Sequence, residues 1–230
     1  MDFKKSDYKE YPKTLEPNDF WGQVRRTMMG KPITNHEVDC IIKSIVKELR
    51  LNTTDNFCDL ACGNGALSAK LFGNILSYCG VDESEYLIQV AKQNFEIQPN
   101  YYFICDEVEK FVINCVDSEK YTKLMCYASI QYFPDEKLKH IFEELKSRFV
   151  NVERILIGNI PDRNKTSEFF KDAPVDESVL NDHTAQIGRW FSEDEIKQLA
   201  EEYGYVPEIF HLDESIFNSR YRFDAVFIRV

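Results

Sequence analysis

The sequence predicts an α/β fold: a largely parallel sheet with helices on both faces, finished by an antiparallel strand pair at its C-terminal end. Three observations predict it. Five short apolar runs alternate with helical segments between residues 57 and 160, so successive strands need crossover connections. Those runs are dense in Val, Ile, Leu, Phe and Cys, as strands buried on two faces are. Two further strand-like segments, 205–212 and 221–230, are joined by a link short enough for antiparallel pairing.

In chain order, residues 1–33 are rich in Lys, Glu, Tyr and Pro without a clear period, and read as an N-terminal arm able to order over a ligand. Residues 34–230 read as the domain proper. Thr34 and Glu37 form a capping box, and Val38, Ile41, Ile42, Ile45, Val46 and Leu49 fall on one helical face. The run 57–61 is a strand that ends in Cys62-Gly63-Asn64-Gly65, followed by a helical-looking segment, 66–72. Residues 75–82 read as a strand, 83–95 as a helix and 101–105 as a strand ending at Asp106. A strand at 123–128, a helix at 134–149 with Leu138, Ile141, Phe142 and Leu145 inward, and a strand at 154–160 complete the alternation. Residues 161–190 are polar and aperiodic, long for a plain connection, and read as a substrate loop that serves as a lid, a dimer contact or both. Ser192 and Glu195 then cap a helix that ends near Gly204.

Composition narrows the function classes. The chain has 230 residues, 43% hydrophobic and 29% charged, the balance of one globular domain. Its 28 Lys and Arg against 39 Asp and Glu leave a net charge of −11, which disfavours nucleic acid as a partner and favours a small molecule. No apolar stretch approaches the roughly 20 residues of a membrane span, and the N-terminus lacks the apolar core of a secretory signal, so a cytoplasmic location is expected. Seven cysteines, an odd number, read as reduced thiols, with Cys58, Cys79, Cys105 and Cys126 as small buried groups at strand positions. Cys58 and Cys62 have neither a second close pair nor a nearby histidine, so no zinc site is expected, and no acidic cluster has metal-ligand spacing.

The glycine turn carries the chemistry. Without side chains, Gly63 and Gly65 let the backbone turn sharply at a strand end and approach a ligand closely. Asp82 lies 19 residues after Gly63 at the end of the next strand, where a carboxylate accepts from both hydroxyls of an adenosine ribose. Nicotinamide or flavin dinucleotides and S-adenosylmethionine share this arrangement. Three features favour the latter: Ser68 where the dinucleotide fingerprint needs Gly or Ala, an acid, Asp59, in the preceding strand, and the antiparallel finish of the sheet. An NAD-dependent oxidoreductase and a non-catalytic nucleoside-binding module stay as alternatives.

Asp59-Leu60-Ala61-Cys62-Gly63-Asn64-Gly65 resembles the first motif of the class I S-adenosylmethionine-dependent methyltransferases. Val81-Asp82, Cys105-Asp106 and the segment from Tyr127 through Ala128, Ser129, Ile130, Gln131 and Tyr132 to Phe133 match the later landmarks in order. The resemblance covers residues 35–160 and the terminal strand pair, and implies a Rossmann-like seven-stranded sheet with the last strand inserted antiparallel. A narrower likeness joins five stretches: 19–26, Gly30-Lys31-Pro32, 160–163, 187–190 and 221–224. They resemble methyltransferases of bacterial capsule and surface-polysaccharide gene clusters.

The resemblance implies that Ala61, Cys62, Gly63 and Gly65 face the cofactor's methionine and ribose, with Asp59 at its amino group. It implies Asp82 and Glu83 at the ribose, Asp106 and Glu107 at the adenine, and Ala128 and Ser129 beside the methionine. Its product would be S-adenosylhomocysteine. In the arm, Trp21 and Arg26 are candidates for closing over the cofactor. Gln23, Arg163 and Arg189 are tentative substrate contacts, and Arg25 is a further cation for an anionic substrate. The sulfonium already activates the methyl, so the protein has to align a nucleophile and exclude water. An alcohol nucleophile gains from a base, and His183 in the loop is the first candidate, with Tyr132 near the transferred methyl. His36, His140 and His211 are read as structural or secondary. The acceptor expected is a sugar hydroxyl, free or nucleotide-linked, with N-methylation of a small amine as the alternative; a homodimer through the loop is also open.

Overall fold

The computed structural model describes residues 7–28, 31–171 and 175–230, so Gly30 of the narrower likeness lies outside the described residues. Seven strands form one sheet: β1 (Asn56–Leu60), β2 (Ser77–Asp82), β3 (Tyr101–Cys105), β4 (Lys123–Tyr127), β5 (Arg154–Pro161), β6 (Tyr205–Phe210) and β7 (Arg222–Arg229). Their spatial order is β3-β2-β1-β4-β5-β7-β6. The first five are parallel, and β7 is inserted antiparallel between β5 and β6. Order reverses between β1 and β4, the switch point outside whose carboxyl ends α/β sheets place their ligands.

Alternation along each strand divides the core in two. Cys58, Leu60, Cys79, Leu124, Cys126, Ile155 and Ile157 face one side, where they meet the helices α3 (Val108–Asn114), α4 (Asp135–Arg148) and α5 (Glu193–Glu202). Phe57, Tyr78, Met125, Tyr127 and Leu156 face the other, against α1 (Asn35–Leu49) and α2 (Glu85–Phe95). The cysteines at 58, 79 and 126 are buried free thiols at strand positions. Both expected capping boxes form, Thr34 with Glu37 on α1 and Ser192 with Glu195 on α5.

One element differs from the sequence reading. The segment after the glycine turn is a 3-10 helix, Ser68–Asn74, rather than an α-helix. Ser68 at its start turns its hydroxyl to Asp59, so a side chain, rather than a row of free helical N–H groups, faces the turn. Helix α3 carried too short a pattern to be read from sequence. Residues 161–190 are not structureless: they hold the short helices Thr166–Phe170 and Glu177–Leu180 and a small apolar cluster of Phe170, Leu180, Trp190 and Tyr221.

The arm is docked from residue 7 onward. It contains a helical turn, Phe20–Gln23, and a two-residue ribbon pairing Thr27–Met28 with Lys31–Pro32. Ser84 Oγ donates to the Tyr8 carbonyl at 3.1 Å, Lys9 pairs with Glu83 at 3.3 Å, and Phe20 meets Phe95 edge-on at 5.2 Å. Among the described residues no helix is long and apolar enough to cross a membrane.

Candidate active site

The carboxyl ends of β1, β2, β4 and β5 open into a cleft of ≈ 930 Å³, roofed by the arm and walled by the loop after β5. The chain leaves β1, β4 and β5 in unusual conformations. Ala61 (φ +61°), Ala128 (φ +61°) and Asn159 (φ +59°) are all left-handed, and all three line the cleft. Such a conformation costs a residue with a Cβ about 1–3 kcal/mol and persists only where the surroundings enforce it.

On the glycine-turn side, the Gly63 N–H donates to Asp82 Oδ2 and the Ser84 N–H to Oδ1, both at 2.9 Å. A carboxylate has about four acceptor positions, so Asp82 retains two for further donors. Burial raises its pKa against the pull of those two backbone N–H groups. Asp59, 2% exposed, accepts from Ser68 Oγ and from the Tyr78 hydroxyl at 3.1 Å. Both bonds go to Oδ2, and among the described residues no hydrogen bond reaches Oδ1. Burial pushes the Asp59 carboxyl up to about 7; the Ser68 and Tyr78 hydrogen bonds oppose the shift and the charge of Asp82 adds to it.

The two glycines do different work. Gly63 (φ +59°) lines the cleft, and a Cβ there would sit 3.0 Å from Val24 Cγ1, so the arm packs directly on the turn. Gly65 (φ +72°) is not among the lining residues: a Cβ there would lie 2.6 Å from the Phe103 ring, so close packing against that ring also requires glycine. Asp106 also stands outside the cleft lining, its carboxylate accepting from the Glu107 N–H at 2.9 Å. Glu107 does line it, with its pKa lowered by hydrogen bonds from Lys110 and Lys137. Cys62, Glu83, Ser129, Trp21 and Arg26 line it as well.

Gln23 is a correction. It is 0% exposed and stitches the arm together, donating to the Glu16 and Pro17 carbonyls and accepting from Asn64 Nδ2 at 2.9 Å. Arg163 and Arg189 are corrections too. Arg163 is held by Glu177, Asn181, the Trp190 carbonyl and Glu195; Arg189 is held by Asp135 and Glu195. Neither lines the cleft: both fasten the loop to α4 and α5 and to itself.

On the loop side, His183 lines the cleft, while the carboxylate of Asp182 accepts from the N–H and hydroxyl of Thr184 at 2.8 and 2.7 Å, which shapes the turn that carries the histidine. Tyr132 lines it too, its hydroxyl donating to the Gln186 carbonyl at 2.9 Å and lying 3.2 Å from the Tyr8 hydroxyl. With its proton committed to Gln186, Tyr132 ties loop to arm as a positioning residue. His140 and His211 pair instead with Glu109 and Glu193, at 2.7 and 3.1 Å.

Sequence reasoning assigned no role to four groups here, although two of them, Arg222 and Asp224, stand in the 221–224 stretch of the narrower likeness. Pairing of β5 with β7 shifts register between Ile157 and Ile160, a bulge that turns Asn159 into the cleft. Two β7 side chains hold that bulge: Arg222 Nη1 donates to the Asn159 carbonyl at 2.6 Å, and Asp224 accepts from the Asn159 N–H. Burial pushes Asp224 up to about 7, against the Asn159 hydrogen bond and the nearby Arg222 and Arg26. Tyr8 is the fourth group, brought in by the arm. Arg25 and Arg26 complete the wall: Arg25 lies 3.8 Å over the Tyr11 ring, and Arg26 lies 5.0 Å over Tyr127 and 6.0 Å over Trp21. Among the described residues no group of three metal-binding side chains is assembled.

Residues 57–149 match the family described as a methyltransferase domain. Curated relatives from Coxiella burnetii, named ubiquinone biosynthesis O-methyltransferase, are 35% identical over 119 residues, 51% of this chain and 47% of theirs. Over these residues the chain is similar to methyltransferase domains. It spans about half the length of those relatives. Among solved structures, the magnesium protoporphyrin IX methyltransferase of Synechocystis, solved with S-adenosylhomocysteine bound, superposes with a TM-score of 0.59 at 17% identity, over 85% of this chain and 84% of that one. The geranyl diphosphate C-methyltransferase of Streptomyces coelicolor gives 0.62 at 16% identity, over 84% and 77%. At such identities these two structures speak for the fold of the methyltransferase domain alone.

Proposed function

We propose that the protein transfers the methyl group of S-adenosylmethionine to a hydroxyl of a small molecule. The observation that carries the reading is the pair Asp59 and Asp82 at adjacent strand ends, in a cleft closed by the arm. Asp82 keeps acceptor positions for ribose hydroxyls. Asp59, buried and driven towards neutrality, is matched by a cation: an ammonium beside it would restore its charge and be held by it. Arg26, stacked between Trp21 and Tyr127, supplies a cation for the cofactor's carboxylate.

When bound, the cofactor supplies an activated methyl group. The chain then has to exclude water, which the arm does above and the loop at the side, and to take the acceptor's proton at His183. The names of the curated relatives favour oxygen as the acceptor atom. The finer assignment to a sugar of surface-polysaccharide synthesis rests on sequence motifs alone, and three of its residues, Gln23, Arg163 and Arg189, are spent on holding the arm and the loop. The test is release of S-adenosylhomocysteine from S-adenosylmethionine with a panel of phenols, sugars, sugar nucleotides and small amines. Turnover with hydroxyl acceptors is expected. Turnover with amines only, or tight NAD binding without S-adenosylhomocysteine binding, would overturn the reading.

A further inference from the structure

The cleft holds three guanidinium groups, Arg25, Arg26 and Arg222, and among the described residues none of them lies within 4.0 Å of a carboxylate. Elsewhere the arginines are answered: Arg154 by Glu208, Arg163 by Glu177 and Glu195, Arg189 by Asp135 and Glu195. In the cleft, Arg25 Nε, Arg26 Nη1 and Arg222 Nε are buried and have no hydrogen-bond partner; Arg163 Nε and Arg189 Nε share that state, but their guanidinium groups pair with carboxylates through other atoms, which those of the cleft do not. Orphaned buried donors on a charged group are costly, and more than one such group in a single cleft points to a ligand that supplies the acceptors.

Arg222 is the most informative of the three. It is 8% exposed, rigidly placed by its bond to the bulge carbonyl of Asn159, and lies beside the ring of Tyr221, 5.4 Å from its centroid. Asp224, two residues on, feels its charge but makes no hydrogen bond to it: its bond goes to the Asn159 N–H. Arg25 has its guanidinium stacked on Tyr11 and 5.9 Å from Tyr8, whose hydroxyl feels the charge of both Arg25 and Arg222, and its own backbone is in the left-handed region (φ +51°). A cofactor brings one carboxylate, for which Arg26 is placed. That leaves Arg222 and Arg25 in the cleft that His183 also lines.

We propose that the acceptor carries an anionic group, a carboxylate or a phosphate, and that Arg222 and Arg25 hold it. This rests on the methyl-transfer reading for what the acceptor is, but not for whether the anion binds. A fork of N–H donors fits either oxyanion, and in a chain of net charge −11 these arginines form a local exception that selects an anionic substrate from bulk repulsion.

The test titrates the full chain, by Trp fluorescence and calorimetry, with two matched pairs: benzoate against benzamide, and glucose 6-phosphate against glucose. Each titration is run with and without S-adenosylhomocysteine. The anionic member of at least one pair is expected to bind tenfold or more tightly than its neutral partner, and which pair does so distinguishes carboxylate from phosphate. Arg222→Lys and Arg25→Gln should each reduce that ratio at least fivefold, while Arg50→Gln, an exposed residue at the end of α1, leaves it unchanged. Arg25→Gln touches no strand, so it serves where Arg222→Lys disturbs the bulge. Equal binding within both pairs, or an anion preference unchanged in both cleft variants, would overturn the proposal. Failure of S-adenosylhomocysteine to bind would instead overturn the cofactor reading, and the comparison within each pair stands without it.

Discussion

The two sides of the cleft are built in opposite ways. The glycine-turn side comes from neighbouring stretches of chain, and its acids are answered close by: Asp82 by Gly63 and Ser84, Asp59 by Ser68 and Tyr78. The loop side is assembled from Tyr8 and Arg25 in the arm, Asn159 at a strand bulge, His183 in the loop and Arg222 on an inserted strand, and among the described residues its cations have no carboxylate within 4.0 Å. A site for a fixed ligand can be written as a compact motif. A site for a variable acceptor is written in long-range contacts, where a loop or an arm can change without disturbing the sheet.

Three substitutions sharpen that contrast, from the largest effect to the smallest. His183→Gln should lower kcat by about 100-fold to 10,000-fold, the usual worth of a general base, and leave the S-adenosylhomocysteine affinity unchanged. Retained turnover would remove His183 from the mechanism. Gly65→Ala puts a Cβ into the Phe103 ring at a left-handed backbone position, so it should cost about 3 kcal/mol of stability in denaturant unfolding. A stable variant with weakened S-adenosylhomocysteine binding would return Gly65 to the ligand. Asp82→Ala should weaken S-adenosylhomocysteine binding by about 1–3 kcal/mol without altering anion binding on the loop side. Equal weakening of both would mean that the two sides are coupled rather than separately built.

The same division governs how much was legible in the sequence. The strands, both capping boxes and the positions of Asp59, Gly63 and Asp82 follow from local pattern, because apolar runs, capping residues and glycine turns are properties of a few adjacent residues. The packing of Gly65 against Phe103 was not legible, because that ring comes from a strand 38 residues later, which no local pattern encodes. Arg163 and Arg189 were misread for a related reason: a cation in a polar loop looks free until the acids of α4 and α5 fold against it. Arg222 stood within the 221–224 likeness but without a role, and Asn159 left no signal. A bulge exists only in the register between two strands that are distant in sequence, and the side chains that hold it look like ordinary strand residues. His183 is a candidate from its chemistry and its loop, and it lines the cleft.

The central claim is that a buried, nearly neutral Asp59 recognises a cationic part of the cofactor. Its pKa is raised to about 7 by burial, so in the free protein the carboxyl holds its proton below that pH and loses it above. Binding an ammonium requires the charged form, so affinity should be level above pH 7.5 and fall by up to about tenfold per pH unit below 7, with a proton released on binding. Asp59→Asn should bind weakly at every pH and show no such slope. The deciding measurement is calorimetric titration of S-adenosylhomocysteine from pH 5.5 to 8.5, in wild type and Asp59→Asn. A fall in affinity below pH 7 that disappears in Asp59→Asn is the predicted result, and a wild-type affinity that is flat across that range, or a slope that survives in the variant, would contradict it.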